Sequence, residues 1–416
     1  MVKSQNLKYQ LYYNMSFDIL NKTLQNSPLY KALVQASQSN KFLYTIKSSP
    51  APFAKTNVRV NSRIQASLNR DWSFLVPSQG LLAVAYIRVQ LNGIVATDVT
   101  FCEGGGIYLI NDHVDLVTKN MVIERQYNNA IMARINGMPT EQRDGSLSAV
   151  KSRVTVPAGT DLSKSPLAQI WIPLFFSAFE QPSNFLDTRF IENLEIKFKS
   201  SSALSNIIAS GTITNGGIQS AEMCCMYINP IEYEYEKLQS EQFTLKAPLS
   251  MLWNNQEKNE DVSAVCTLAD SIVEFVMPIS TKKLVHSMHI FVKNVTAIGA
   301  DFENVENIKL QAMGTTILNV DGIELQIMQS RSWNRFATKI DVSGTNDNIY
   351  TLYFGLDDSL IENSGAIAFQ SLNDPVLIVR ARVQATGTYK LKVVSNCWNI
   401  VNIDGTSGEI SRSLDK

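Results

Sequence analysis

The chain has 416 residues, 45% of them hydrophobic and 18% charged, with a formal net charge of −1. That length is too great for one ordinary sandwich and suits two domains of about 200 residues, each able to bury its own core. Near-neutral charge argues against a protein whose main task is gripping nucleic acid, which carries a basic stripe, and no apolar run reaches the roughly 18 residues of a membrane span.

Residues 1–49 differ from the rest. Lys3, Lys8, Lys22, Lys31, Lys41 and Lys47 stand against a single acid, Asp18, a local charge of +5 in an otherwise slightly acidic chain. Leu11, Met15, Ile19 and Leu24 recur every four or five residues, so the segment is expected to be a basic N-terminal arm, partly helical. Such an arm is either solvated, or laid on an anionic surface (nucleic acid or membrane), or strapped under a neighbouring subunit. Its opening, MVKSQNLKYQ, lacks the apolar run of a secretory signal, so export by that route is not expected. Cys102, Cys224, Cys225, Cys266 and Cys397 are odd in number and include no C-x-x-C pair. They read as reduced thiols of a protein made inside a cell, not as a disulfide framework or a zinc site.

From about Val58 short runs of Val, Ile, Phe and Tyr are broken by Gly, Asn, Asp and Pro, the texture of strands. The first half supplies Leu81–Leu91, Ile170–Phe179, Leu194–Phe198 and Met223–Tyr235. The second supplies Ser271–Val276, Leu284–Val292, Ile308–Met313, Ile323–Ile327, Asn348–Phe354, Val376–Val383 and Tyr389–Val394. Helical periodicity is scarce, its best candidate lying near Asp112–Arg134, and Gly137–Pro166 reads as a long loop suited to projecting from an outer surface. Many short strands between turns predict an all-β sandwich or barrel and not βαβ units.

An internal repeat runs through these strands. IWIPLFFSAFE (Ile170–Glu180) leads to ENLEIKF (Glu192–Phe198), as NIYTLYFGLDD (Asn348–Asp358) leads to DPVLIVRARV (Asp374–Val383). A further pair, YIRVQLN (Tyr86–Asn92) and HIFVKN (His289–Asn294), precedes each of these in the same order. The halves are expected to divide in the polar stretch Leu238–Phe243, giving an arm over 1–49, a first sandwich over 50–238, and a second over 239–416 that ends in a C-terminal tail.

The chemistry-bearing residues form no site. His286 and His289 stand three apart in a strand-like run, where alternation sends their side chains to opposite faces and away from a shared metal. His113, between Asp112 and Asp115, reads as a turn or helix-start residue. The sequence holds no G-x-S-x-G elbow, H-E-x-x-H or P-loop; Gly104-Gly105-Gly106 lacks the Lys-Ser/Thr that would reach phosphates and reads as a turn between strands. Asp357-Asp358 and Glu260-Asp261 have no calcium-loop spacing. Phe175, Phe176 and Phe179 have no interleaved Lys or Arg and read as core, while Tyr233 and Tyr235 alternate with glutamates as in a half-buried strand. No catalytic, cofactor-binding or metal-ligating residue is assigned, and no cofactor is expected.

IPLFFSAFEQPSNFLDTRFIENLEIKF (Ile172–Phe198) resembles a segment of the double jelly-roll major capsid proteins of double-stranded DNA viruses, the lineage of polinton-like viruses, adintoviruses, virophages and large DNA viruses. YKLKVVSNCWNIVNIDGTSGEI (Tyr389–Ile410) resembles the closing strands of that family. The resemblance implies two tandem eight-stranded jelly-roll sandwiches, a homotrimeric pseudo-hexameric capsomer, an icosahedral shell and no enzymatic activity. It further implies a place in the virion, with assembly inside the host cell. The implied partners are neighbouring capsomers, penton and minor capsid proteins, and an inner membrane or genome touched by the arm, with no specific nucleic-acid site. Three other readings share part of the pattern. A tandem carbohydrate-binding or adhesin-like sandwich normally carries an export signal; a cupin-type enzyme needs clustered His and carboxylate ligands; a single-jelly-roll capsid protein with a projecting domain is the nearest in structure.

Overall fold

The computed structural model describes residues 53–119, 121–138, 140–180, 185–189, 191–230, 249–321, 324, 348–354, 365–403 and 410–412. The expected arm, the boundary at Leu238–Phe243, Tyr233, Tyr235, Asp357-Asp358 and, apart from Glu324, the strand at Ile323–Ile327 lie outside those residues.

In the first half the strands are β1 (Phe53–Asn61), β2 (Asp71–Leu75), β3 (Leu81–Phe101), β4 (Ile110–Thr118), β5 (Met121–Tyr127), β6 (Thr155–Val156), β7 (Gln169–Pro173), β8 (Leu186–Asp187), β9 (Leu194–Ser200) and β10 (Ile208–Pro230). Helices α1 (Asn128–Asn136), α2 (Thr140–Ala149) and α3 (Ser177–Glu180) lie between them. The second half continues with β11 (Leu249–Lys258), β12 (Val262–Cys266), β13 (Ser271–Pro278), β14 (Leu284–Asn294), β15 (Asn304–Ala312) and β16 (Thr315–Asp321). It closes with β17 (Tyr350–Tyr353), β18 (Ile367–Ala368), β19 (Val376–Val383), β20 (Gly387–Ile403) and β21 (Ile410–Arg412).

These strands form four antiparallel sheets, two per half. In the first half one sheet runs β1-β10-β3-β7, with β6 and β8 also on the long β3, and the other runs β2-β9-β4-β5. In the second half the sheets run β11-β20-β14-β17 and β13-β19-β15-β16. Counting the eight principal strands of either half in chain order, the sheets are 1-8-3-6 and 2-7-4-5, the jelly-roll arrangement of two interleaved Greek keys. The three strand pairs matched by sequence fall at equal positions: β3 with β14, β7 with β17, β9 with β19.

Alternation explains the layers. In β13 Val273, Phe275 and Met277 are buried while Ile272, Glu274 and Val276 face out. In β3 Ala85, Ile87 and Val89 point inward and Tyr86, Arg88 and Gln90 outward. The cores match in detail: Phe74 lies opposite Ile196 in one half and Phe275 opposite Val379 in the other, all four fully or almost fully buried.

Several sequence expectations change. The helix expected near Asp112–Arg134 is instead the β4–β5 hairpin, with Val114 and Leu116 in the core, and helix begins only at Asn128. His113 therefore sits in a strand, its Nδ1 2.9 Å from Asp112 Oδ2. The strand expected over Ile170–Phe179 stops at Pro173 and yields to α3; Phe176 is core, but Phe175 and Phe179 are only partly buried. Gly137–Pro166 is no open projection. It contains α2 and β6, and folds back on β3 through Val95 N to Thr160 O (3.0 Å) and Leu162 N to Gly93 O (2.9 Å). The three glycines do form a turn, a short 3₁₀ segment between β3 and β4. Gly104 takes a φ of 62° there, and a Cβ at Gly106 would stand 2.3 Å from Ile170 Cγ2 and 2.7 Å from Val150 O.

Candidate assembly surfaces

The outer face of β11-β20-β14-β17 is buried against the first sandwich. Trp253, Phe291, Phe302 and Val394 join the first sandwich's hydrophobic cluster, making one apolar core across the seam. β20 is buried on both sides, every residue from Val393 to Val401 being buried.

Polar contacts fix the register of the seam. Ser177 on α3 accepts a hydrogen bond at Oγ from the Asn254 amide (2.7 Å), and its own amide donates to the Glu124 carboxylate (2.9 Å). Tyr127 N donates to Gln256 Oε1 (2.8 Å), Ala300 N donates to Glu103 O (3.0 Å), and Lys258 Nζ lies 3.4 Å from Asp112. Lys293 of β14 lies over the Tyr108 ring (5.2 Å) and donates to Gly299 O at 2.5 Å. Burial, and then the charge of Lys392, lower its pKa to about 8.

His286 and His289 belong to this same face and not to opposite ones. A bulge between Val285 and Ser287 inserts one residue, so His286 stacks 4.6 Å from Trp398 while His289 bonds Asn396 on the same side. Asn396 Nδ2 donates to His289 Nε2 (2.9 Å), which leaves the Nδ1 proton for Thr351 Oγ1 (2.9 Å). Burial lowers the pKa of both rings to about 3, with Arg134 nearby adding to the effect. Among the described residues no group of three or more His, Cys, Asp or Glu could hold a metal ion. The five cysteines are free and buried; burial raises Cys102 and Cys225 to about 12, which keeps them as thiols.

A second surface lies on the outer face of β1-β10-β3-β7. There a groove of about 630 Å³ runs between Tyr86, Trp171 and Phe175 and a wall of Met138 and Ala149. Arg88 lies 5.4 Å above the Trp171 ring and pairs with Glu222 at 3.1 Å. Beside it Leu81, Ala83 and Phe185 form a small cluster with the partly exposed Val84, Met226 and Ile228. The outer face of β13-β19-β15-β16 is different again: ion pairs Glu274–Arg380 and Glu306–Arg382, each 2.6 Å, cross it in the open.

None of these surface residues stood out in sequence as functional. One signal was present, because HSMHIFV in β14 and VVSNCWNIV in β20 are nearly continuous apolar or small runs where a half-exposed strand would alternate.

The fold is thus the double jelly-roll, two sandwiches of the same topology in one chain. Among solved structures it is similar to VP54 of the virus PBCV-1, fitted into a reconstruction of the virophage Sputnik (TM-score 0.70, 13% identity, 88% of this chain and 98% of that one). It is likewise similar to the Faustovirus major capsid protein (0.61, 10%, 92% and 99%) and to the mavirus major capsid protein (0.54, 11%, 86% and 90%). No protein-family model and no curated protein matches the chain in sequence.

Proposed function

We infer that the chain is a viral major capsid protein, a structural tile and not a catalyst. The observation that carries this is the tandem repeat of one jelly-roll topology, superimposable along 98% and 99% of two viral capsid proteins. Two like sandwiches per chain give six like units in a trimer, so a threefold homotrimer fills a hexagonal position in an icosahedral shell; closed cyclic assembly is the common outcome for such chains. Intersubunit contacts of such an obligate complex exceed about 2,000 Å². Each sandwich suits the work because its stacked sheets protect strand edges from uncontrolled pairing. The chain then resides in the virion, having been made and assembled in the host cell. Its partners are neighbouring capsomers, penton and minor capsid proteins, with the basic arm directed to an inner membrane or the genome.

The test is assembly. Purified protein is expected to sediment at three times 46.4 kDa and to show pseudo-hexagonal particles by electron microscopy. A stable monomer at micromolar concentration would sink the proposal.

A further inference from the structure

Among the described residues β11 pairs on one side only, with β20. Asn259 N donates to Val393 O (3.0 Å), directly across the ladder, so Asn255, Glu257 and Asn259 turn their backbone groups toward β20 while Asn254, Gln256 and Lys258 turn theirs away. The outward edge is closed at Asn254. There the Ser177 hydroxyl accepts from Asn254 N (2.7 Å) and lies 3.0 Å from Asn254 O, within reach of a hydroxyl proton. At Gln256 and Lys258 no described residue takes the outward N–H or C=O. Both residues line a groove of about 390 Å³ between β5 and the turn from β13 to β14.

Every charged residue on that groove already has a partner. Lys283 pairs with Glu257 (3.0 Å), Lys258 with Asp112 (3.4 Å) and Asp261 (3.6 Å), and Arg125 with Asp115 (2.7 Å). An anion would call for a spare cation and a metal ion for gathered oxygens, so the groove asks for a ligand without charge. Between the ion pairs stand Asn255 and Thr281, 7% and 6% exposed, whose side chains bond to no described residue. Amides and hydroxyls buried to that degree almost always have hydrogen-bond partners, so these two mark a place that a polar molecule fills.

We propose that this groove binds a neutral saccharide, whose hydroxyls take the backbone groups of Gln256 and Lys258 as Ser177 takes those of Asn254. A hydroxyl both donates and accepts, so a single one serves the N–H and the C=O of one edge residue, and a sugar ring presents several together. The Asn255 amide, with donors and an acceptor side by side, and the Thr281 hydroxyl suit further hydroxyls of the same ligand. An extended peptide also pairs with open strand edges, but it gains by bonding along many residues. Here Ser177 closes one end and β11 stops at Lys258, leaving two outward residues. The groove lies within one chain, at the seam of its sandwiches, so the inference does not depend on the capsomer reading.

The experiment uses the full chain on an array of neutral, sialylated and sulfated glycans. Neutral glycans are expected to bind; binding of none, or of the charged ones alone, overturns the proposal. The best-bound neutral glycan then serves for titration. Thr281→Val keeps the side chain's shape and removes its hydroxyl, and is expected to weaken binding about two- to tenfold, the range of one hydrogen bond. Met313→Lys, on the exposed turn between β15 and β16, is expected to leave affinity unchanged. Equal affinity in wild type and Thr281→Val overturns the proposal. Should Thr281→Val fail to fold, amide hydrogen exchange of the wild type decides. Saturating glycan is expected to slow exchange at Gln256 and Lys258, and binding that leaves both amides unchanged overturns the proposal. Slowing of those amides by an uncharged Ser/Thr hexapeptide and by no glycan assigns the edge to a peptide, and overturns it as well. Sedimentation tests the capsomer separately, so either reading can fail alone.

Discussion

In a regular strand His286 and His289 would point apart, yet in β14 they share a face because the bulge at position 286 shifts the alternation by one residue. The consequence is electrostatic. His286 is buried against Trp398 and the half-buried His289 bonds Asn396 and Thr351; desolvation drives their pKa values from 6.5 down to about 3. A group whose folded pKa lies below its unfolded value lends full stability above the unfolded value and loses it as pH falls toward the folded one. The window here runs from pH 6.5 down to 3, with a slope of at most about 1.4 kcal/mol per pH unit for each ring. His286→Phe keeps a ring against Trp398 and removes one titration. Urea midpoints at pH 7.5 and pH 4.5 are therefore expected to differ less for the variant than for the wild type; equal losses in both would assign the acid sensitivity elsewhere.

Strands differ in how many of their faces are buried, and that difference separates the framework from the seam. β13 alternates because one side is core and the other is open, and such a strand is easy to see in a sequence. β20 does not alternate between Val393 and Val401, because the first sandwich covers its second side. The hairpin β4–β5 lies in the stretch near Asp112–Arg134 whose periodicity reads as helical. Arg125 instead reaches across the hairpin to Asp115, with bonds of 2.7 and 2.8 Å. Core substitutions should respect the halves. Phe275→Ala removes a fully buried ring from the second cluster and is expected to cost about 3–5 kcal/mol. Phe74 belongs to the first cluster, which runs on into Trp253 and Phe291, so the same change there is expected to loosen the seam as well. Tryptophan fluorescence during urea unfolding reads this, since Trp253 lies in the seam. If Phe74→Ala leaves that signal unshifted, the two clusters are not coupled as described.

For the whole molecule, the proposed capsomer assigns different work to different parts. The seam holds two sandwiches as one tile, and the arm belongs to the next level of assembly. The arm's +5 charge over 1–49 has no counterpart elsewhere in a chain of net charge −1. Removing residues 1–47 is therefore expected to leave trimers of reduced mass intact while impairing shell closure or attachment to an inner layer. Electron microscopy of assembly reactions checks this, and normal shells from the truncated protein would remove the arm from the mechanism.

The sequence by itself determined the all-β class and the order of repeated strands, because period-two alternation and turn residues are local properties that survive in any window of a few residues. The matches of β3 with β14, β7 with β17 and β9 with β19 were legible for that reason. Tertiary structure alone decided which outer faces are wet. Whether Trp171 or Phe291 meets water depends on what lies across the sheet, far away in the chain, and Val, Phe and Trp look alike in sequence whether they face a core or a neighbour. The bulge that gathers two histidines and the folding of Gly137–Pro166 onto β3 were hidden for the same physical reason: both are set by long-range pairing, not by the residues' own preferences.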